Sequence, residues 1–217
     1  MLITETFTSV QGEGAAAGRP CTFVRLARCN LRCVWCDTKY SFTGGDERAL
    51  DDVLADVRAR GPRLVCVTGG EPLMQPEAVP LMQQLLDEGF EVLLETSGAL
   101  PLDPVPAGVV KVMDLKCPGS GEEAANHWPN LRLLGVRDEV KFVVQDEVDY
   151  LWARDACRRH GLGGRPPRSG APGVLLSPVH GALAPADLVA WMLRDGLEAR
   201  LNLQVHKYVW GADARGV

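Results

Sequence analysis

The sequence lacks a surplus of positive charge: 23 Lys and Arg stand against 28 Asp and Glu, a formal net charge of −5 over 217 residues. Binding along a phosphate backbone needs clustered cations, so no nucleic-acid partner is expected. No apolar run approaches the roughly 18 residues that suggest a membrane span, so no membrane partner is expected either. The opening Met-Leu-Ile-Thr-Glu-Thr-Phe has neither the basic nor the apolar segment of an export signal, which points to the cytoplasm. Internal repeats and charged tails are missing, and no composition break divides the chain. At about 150 residues per domain, 1–217 therefore reads as one domain. The 46% hydrophobic content suits an ordinary buried core.

What is present is an alternation of apolar runs and amphipathic stretches. Strands are expected over 21–27, 63–68, 91–96, 109–115, 139–144, 173–178 and 201–206, where Val and Leu recur without a polar face, as in a parallel sheet buried on both sides. Helices are expected over 46–60, with Leu50, Val53, Leu54 and Val57 on one stripe, and over 76–88, opened by Pro76 and stopped by Gly89. Weaker helical patterns cover 147–160 and 185–195, each followed by Gly. The stretch Gly161 to Gly173 is rich in Gly and Pro and reads as a mobile surface loop. A full eight-unit barrel takes about 250 residues and eight helices. The expected fold is therefore α/β: a partial, shortened TIM-like βα barrel of parallel strands with fewer helices than strands.

Seven cysteines are an odd number, and Cys29, Cys33 and Cys36 crowd into one short segment after an expected strand. Without an export signal, such a cluster points to metal or redox chemistry before disulfides. Three close thiolates suit three corners of a 4Fe–4S cubane. The fourth iron would then be open to a small molecule, and an open position marks a catalytic rather than a structural centre. Zinc would want a fourth ligand at comparable spacing, whereas Cys66, Cys117 and Cys157 stand alone and Cys21 has no assigned role.

Cx3Cx2C in a βα chain, with Trp35 between its last two cysteines, resembles the signature of the radical S-adenosylmethionine (SAM) superfamily. The resemblance implies a partial barrel, a fourth iron chelated by the amine and carboxylate of SAM, and reductive cleavage of SAM to a 5′-deoxyadenosyl radical. Thr68-Gly69-Gly70-Glu71-Pro72 is similar to the motif that meets the SAM amine, although a plain strand-ending turn would also use Gly-Gly. Further segments resemble the 7-carboxy-7-deazaguanine synthase family: Phe7 to Gly14 (FTSVQGEG), Arg25, Cys36-Asp37-Thr38, Thr68 to Pro72, and Gln204 to Tyr208 (QVHKY). Together they run along nearly the whole chain. That family converts 6-carboxy-5,6,7,8-tetrahydropterin to 7-carboxy-7-deazaguanine with ring contraction and release of ammonia.

The resemblance implies roles residue by residue. Val10, Gln11, Gly12, Glu13, Thr68 and His206 would hold the pterin and Arg25 its carboxylate; for Arg25 the alternative is a buried ion pair, and for His206 a core histidine at the end of the last strand. Thr38 would offer its hydroxyl to Mg2+, which wants six hard oxygens and so needs substrate and water to complete its shell; otherwise Thr38 is a cap. Trp35, Cys36, Asp37, Gly70, Glu71, Asp114, Leu115, Lys116, Ser177, Pro178, Val179 and His180 would surround SAM. An electron donor of flavodoxin or ferredoxin type and a homodimer are implied as partners. Some members of the family stop soon after His-Lys-Tyr and contact the pterin with a terminal carboxylate. Here Val209 to Val217 follow, so either Val217 folds back or an upstream group replaces that carboxylate. The competing functions are a glycyl-radical activase, which has no use for Gln11, Thr38 and His206 together, and a non-enzymatic electron carrier or zinc protein.

Overall fold

A computed structural model describes residues 1–163 and 171–217. Its strands are β1 (Leu2–Val10), β2 (Pro20–Leu26), β3 (Asp46–Glu47), β4 (Leu64–Gly69), β5 (Glu91–Thr96), β6 (Val110–Leu115), β7 (Glu139–Val144), β8 (Gly173–Pro178) and β9 (Arg200–Leu201). They form one nine-stranded sheet in the order β3-β1-β2-β4-β5-β6-β7-β8-β9. From β2 through β9 every neighbouring pair is parallel, while β1 runs antiparallel to both β2 and β3.

The helices are α1 (Leu50–Arg60), α2 (Ala78–Asp87), α3 (Glu147–His160), α4 (Pro185–Asp195) and α5 (Val205–Trp210). Crossovers from β5 to β6 and from β6 to β7 use no α-helix, only loops with short 3-10 turns. The result is the expected open partial barrel with fewer helices than strands. Local chemistry sets the helix ends. Asp146 accepts the Asp149 N–H (3.0 Å) to cap α3, and Gly161 takes the left-handed conformation (φ 67°) that ends it. Among the described residues no helix is long and apolar enough to cross a membrane.

Side chains alternate across the sheet and divide the core in two. Val24, Leu26, Val65, Val67, Leu94, Met113 and Leu115 face outward into the main core with Leu54, Leu81, Leu85 and Tyr150 of the helices. Cys21, Phe23, Leu64, Cys66 and Leu93 face inward and form a smaller cluster with Phe7 and Val110. Further along β2, β4, β5 and β6 the inner face turns polar, and there the site begins.

Several expectations change. β1 is a strand the reading missed, because LITETFTSV mixes Thr, Glu and Ser among its apolar residues and contains no long apolar run. Residues 46–47 pair as β3 and α1 starts only at Leu50; Pro76 precedes α2 rather than opening it. The expected strand 201–206 shrinks to Arg200–Leu201, and Val205 begins α5. Of the loop expected from Gly161 to Gly173, residues 164–170 lie outside the described residues, and Gly173 already belongs to β8.

Candidate active site

A cavity of about 780 Å3 opens at the carboxyl ends of the parallel strands. Its floor follows from the two-residue period of the strands. Phe23 leads to Arg25, Cys66 to Thr68, Leu93 to Glu95, Val112 to Asp114, and Lys141 to Val143, with Ser177 at the end of β8. Arg25 pairs with Thr68 in the sheet register and Asp114 with Lys141, so these polar groups form a band above the inner apolar cluster. Parallel barrels place reactive groups on this end.

The cysteine loop leaves β2 through Arg28, the only non-glycine residue among those described with a positive φ (75°). That costs an arginine about 1 kcal/mol, and it is held from both sides. The Arg28 N–H donates to the Ser41 carbonyl (2.7 Å), and the Arg28 carbonyl accepts from the Glu71 N–H (2.8 Å). Gly70 is the reason β4 can come so close: a Cβ there would lie 1.8 Å from the Arg28 carbonyl oxygen and 3.1 Å from the Cys29 nitrogen. The end of β4 is therefore a rest for the cysteine loop. We expect Gly70→Ala to leave the protein folded but to push the loop out of place. Iron and sulfide content after anaerobic reconstitution should fall severalfold, and wild-type content in the variant would overturn this account.

Cys29, Cys33 and Cys36 are all free, half-buried and on the cavity wall. Burial pushes the Cys29 and Cys33 thiols up, so a Lewis-acidic metal is what would hold them as thiolates. Among the described residues no three His, Cys, Asp or Glu side chains converge on one ion. A cubane asks for something else, one thiolate on each of three irons, and three free thiols on one loop meet that demand. Beside them Asp114 offers a second mark of a missing partner. Its Oδ2 pairs with Lys116 (3.1 Å), but its Oδ1 is buried and without a hydrogen-bond partner. A ligand bearing an ammonium or hydroxyl would satisfy it, so the residues fit a cluster with such a ligand alongside.

The opposite wall is a charged network. Glu13 Oε2 accepts from Lys141 Nζ (2.8 Å) and Asn202 Nδ2 (3.1 Å), and its Oε1 from Gln204 Nε2 (3.1 Å). Burial would raise the Glu13 carboxyl, but Lys141 overrules it and holds it below its ordinary value. Gln204 also reaches Asp37 (3.1 Å), which Lys207 grips at 2.8 Å. Against the burial effect Lys207, helped by the Gln204 hydrogen bond and by Lys141, brings Asp37 down to about 2. Gln11 donates to Glu95 (3.2 Å), which accepts in turn from Thr68 (2.9 Å). Arg25 lies in an ion pair with Glu5 (2.7 Å), its guanidinium also reaching the Gly69 carbonyl (3.4 Å).

Of the residues singled out from sequence, Val10, Gln11, Glu13, Arg25, Thr68 and His206 line the cavity, as do Trp35, Asp37, Thr38 and Gly70 beside the cysteines. Asp114, Lys116, Ser177, Pro178, Val179 and His180 line it as well. The Thr38 hydroxyl lies 3.6 Å from the Cys36 sulfur. Three residues do not face it. Glu71 is fully buried, its carboxylate accepting from Thr96 Oγ1 (3.0 Å), Ser97 N (2.7 Å), Ser97 Oγ (2.5 Å) and Leu73 N (3.0 Å), so it ties β4 to β5 rather than meeting an ammonium. Leu115 points outward into the main core, one residue out of phase with Asp114. Gly12 packs on His206, whose Nδ1 would lie 2.0 Å from a Cβ there, so its missing side chain makes room for the imidazole and not for a ligand. His206 itself sits in α5 and not at a strand end; burial pulls its pKa down, leaving a neutral ring at neutral pH.

The sequence reading missed Glu5, Tyr40, Glu95, Lys141 and Gln204, all on the cavity wall. Glu95 and Lys141 had a signal: each is charged and lies inside a run of otherwise apolar strand residues, on the inward phase.

Three free cysteines at the carboxyl mouth of an open parallel barrel define a radical SAM enzyme, and residues 24–114 match the radical SAM superfamily. The chain is 45% identical to the 7-carboxy-7-deazaguanine synthase of Koribacter versatilis, covering 100% of both chains. It is 44% identical to that of Chlorobaculum tepidum, covering 99% of this chain and 96% of the relative. Among solved structures, QueE from Escherichia coli superposes with a TM-score of 0.71 at 24% identity over 94% of each chain, a likeness of fold. The chain belongs to the 7-carboxy-7-deazaguanine synthase family.

Proposed function

We propose that this enzyme converts 6-carboxy-5,6,7,8-tetrahydropterin to 7-carboxy-7-deazaguanine, with ring contraction and loss of ammonia, in queuosine and 7-deazapurine biosynthesis. The observation that carries the reading is that the cysteine loop shares one cavity with the Gln11–Glu13 wall and with Arg25. Cys29, Cys33 and Cys36 would hold a 4Fe–4S cluster. Bound there with SAM, the cluster supplies one-electron chemistry that no side chain offers.

The chain's own residues bind, orient and shield. Asp114 Oδ1 accepts from a SAM donor and Lys116 meets an anionic group, with Trp35, Asp37, Gly70 and the Ser177–His180 turn shaping the rest of that pocket. Gln11 and Glu13 suit the aminopyrimidinone edge of a pterin, because between them they present an amide and a carboxylate fixed by the Lys141–Asn202–Gln204 network. Neutral His206 adds a donor, and Thr68 an oxygen, on the same side. Arg25 grips the substrate carboxylate. Thr38, beside the cluster-binding Cys36, offers one neutral oxygen to Mg2+, so the metal would bind with substrate rather than before it. A flavodoxin- or ferredoxin-type donor, a homodimer, a single domain and a cytoplasmic location belong to the same reading.

Anaerobic incubation with SAM, a reductant, Mg2+ and 6-carboxytetrahydropterin should yield a product with the mass of 7-carboxy-7-deazaguanine. Cleavage of SAM with the pterin untouched would favour an activase. No binding of SAM would leave an electron carrier or zinc protein.

A further inference from the structure

The tail Ala212–Val217 returns over the cavity mouth instead of leaving the fold. Trp210, at the end of α5, donates its indole N–H to Ser9 Oγ on β1 (3.3 Å) and anchors the turn-back. Beyond it the Arg215 guanidinium lies over the Tyr40 ring, 4.2 Å from the ring centre, and the same ring receives Arg25 at 6.0 Å. Tyr40 is itself fixed, its hydroxyl donating to Glu5 Oε1 (2.8 Å), the oxygen that also accepts from Arg25 Nε.

The charge balance at this corner is uneven. Glu5 serves Arg25 and Tyr40, while among the described residues Arg215 makes no hydrogen bond and no ion pair; Asp213, on the same wall, pairs with neither arginine. Stacking on an aromatic face fixes the plane of a guanidinium and leaves its edge N–H groups directed sideways, the geometry that takes a carboxylate. A cavity already fitted with Arg25 thus carries a second arginine on the returning tail.

We propose that Arg215 is a specificity-determining residue: stacked on Tyr40, it presents a second guanidinium beside Arg25 to the carboxylate of the substrate. The proposal rests on the reading above that the substrate carries such a group. It places selection for carboxylated over uncarboxylated pterins partly in the tail.

The test compares cluster-loaded wild type, Arg215→Ala and Arg215→Lys under anaerobic conditions. Equilibrium dialysis measures affinity for 6-carboxytetrahydropterin and for tetrahydropterin without the carboxyl, and steady-state assays separate KM from kcat. Arg215→Ala should weaken binding of the carboxylated pterin about tenfold, the size of one charge-assisted contact. Its kcat should stay within about twofold, since ground-state and transition-state binding fall together. Binding of the uncarboxylated pterin should not change, and Arg215→Lys should recover part of the loss. Equal weakening for both pterins would make the tail merely structural, and no weakening would leave Arg215 without a role; either result overturns the proposal. Wild-type enzyme that fails to bind the carboxylated pterin overturns the functional reading itself, a result distinct from both.

Discussion

On the proposed assignment, replacing Cys33 by alanine removes one corner of the cluster site, and SAM cleavage and pterin conversion should both drop to the background of the reaction without enzyme. The variant should fold, because Cys33 is a half-buried loop residue that belongs to neither core cluster. The matching control comes from the other cysteines. Cys157 is fully buried between α3 and the sheet, and burial alone pushes its thiol up to about 12, so it is a small apolar group with no thiolate to offer. Cys157→Ala should keep wild-type iron content. Iron analysis and electron paramagnetic resonance of the reduced proteins check both; a cluster of wild-type occupancy in Cys33→Ala would sink the three-cysteine assignment.

The second large effect is expected at Lys141. Its Nζ lies 2.8 Å from Glu13 Oε2 and 3.6 Å from Asp114 Oδ2, with all three side chains largely buried. Lys141→Met keeps most of the apolar stem but leaves the buried Glu13 carboxylate without its cation, while Asp114 retains only Lys116 (3.1 Å); breaking a buried pair on one side costs about 3–5 kcal/mol. The loss should depend on pH, with a sign that follows from the shifts. In the wild type Glu13 is held below its ordinary value, so its contribution is full above that value and disappears as pH falls through the lowered one. Lys141 is held well above its ordinary value, and its contribution lasts until pH rises through that higher point. Without Lys141, burial dominates and Glu13 moves up instead. The variant then binds more protons folded than unfolded, and it gains stability as pH falls. The difference in denaturant midpoint between wild type and variant should therefore narrow from pH 7 toward pH 5. A difference that stays constant would mean the carboxylates are hydrated rather than paired.

The two predictions differ in how far sequence alone could reach them. The cysteine spacing was legible because a thiol cluster is local: three thiols on one loop need only the loop. The strands from β4 to β8 were legible for a similar reason, since burial on both faces writes a run of Val and Leu into a few consecutive residues. β1 was not, because this strand, antiparallel to both its neighbours, interleaves polar with apolar residues, and the two-residue β9 is too short to leave any pattern.

The site divides along the same line. Spacing and motif brought Gln11, Glu13, Arg25, Thr38 and Asp114 into view, each on its own segment. Glu71 shows the limit: its motif marks a ligand contact, whereas folding surrounds its carboxylate with Thr96 and Ser97 from β5 and beyond, and a group enclosed by such donors does not reach the cavity. Lys141 and Glu95 became part of the site only when the sheet curved and set their inward phase beside Glu13 and Thr68. Arg215 joined it only when the tail folded back onto Tyr40, a contact across the whole length of the chain that no local pattern encodes. The sequence by itself determined the ligand loop and the strand pattern, because both are set by neighbours along the chain. Which charges meet across the cavity, and which are buried away from it, was decided by tertiary structure, because electrostatic partners are chosen by distance in space.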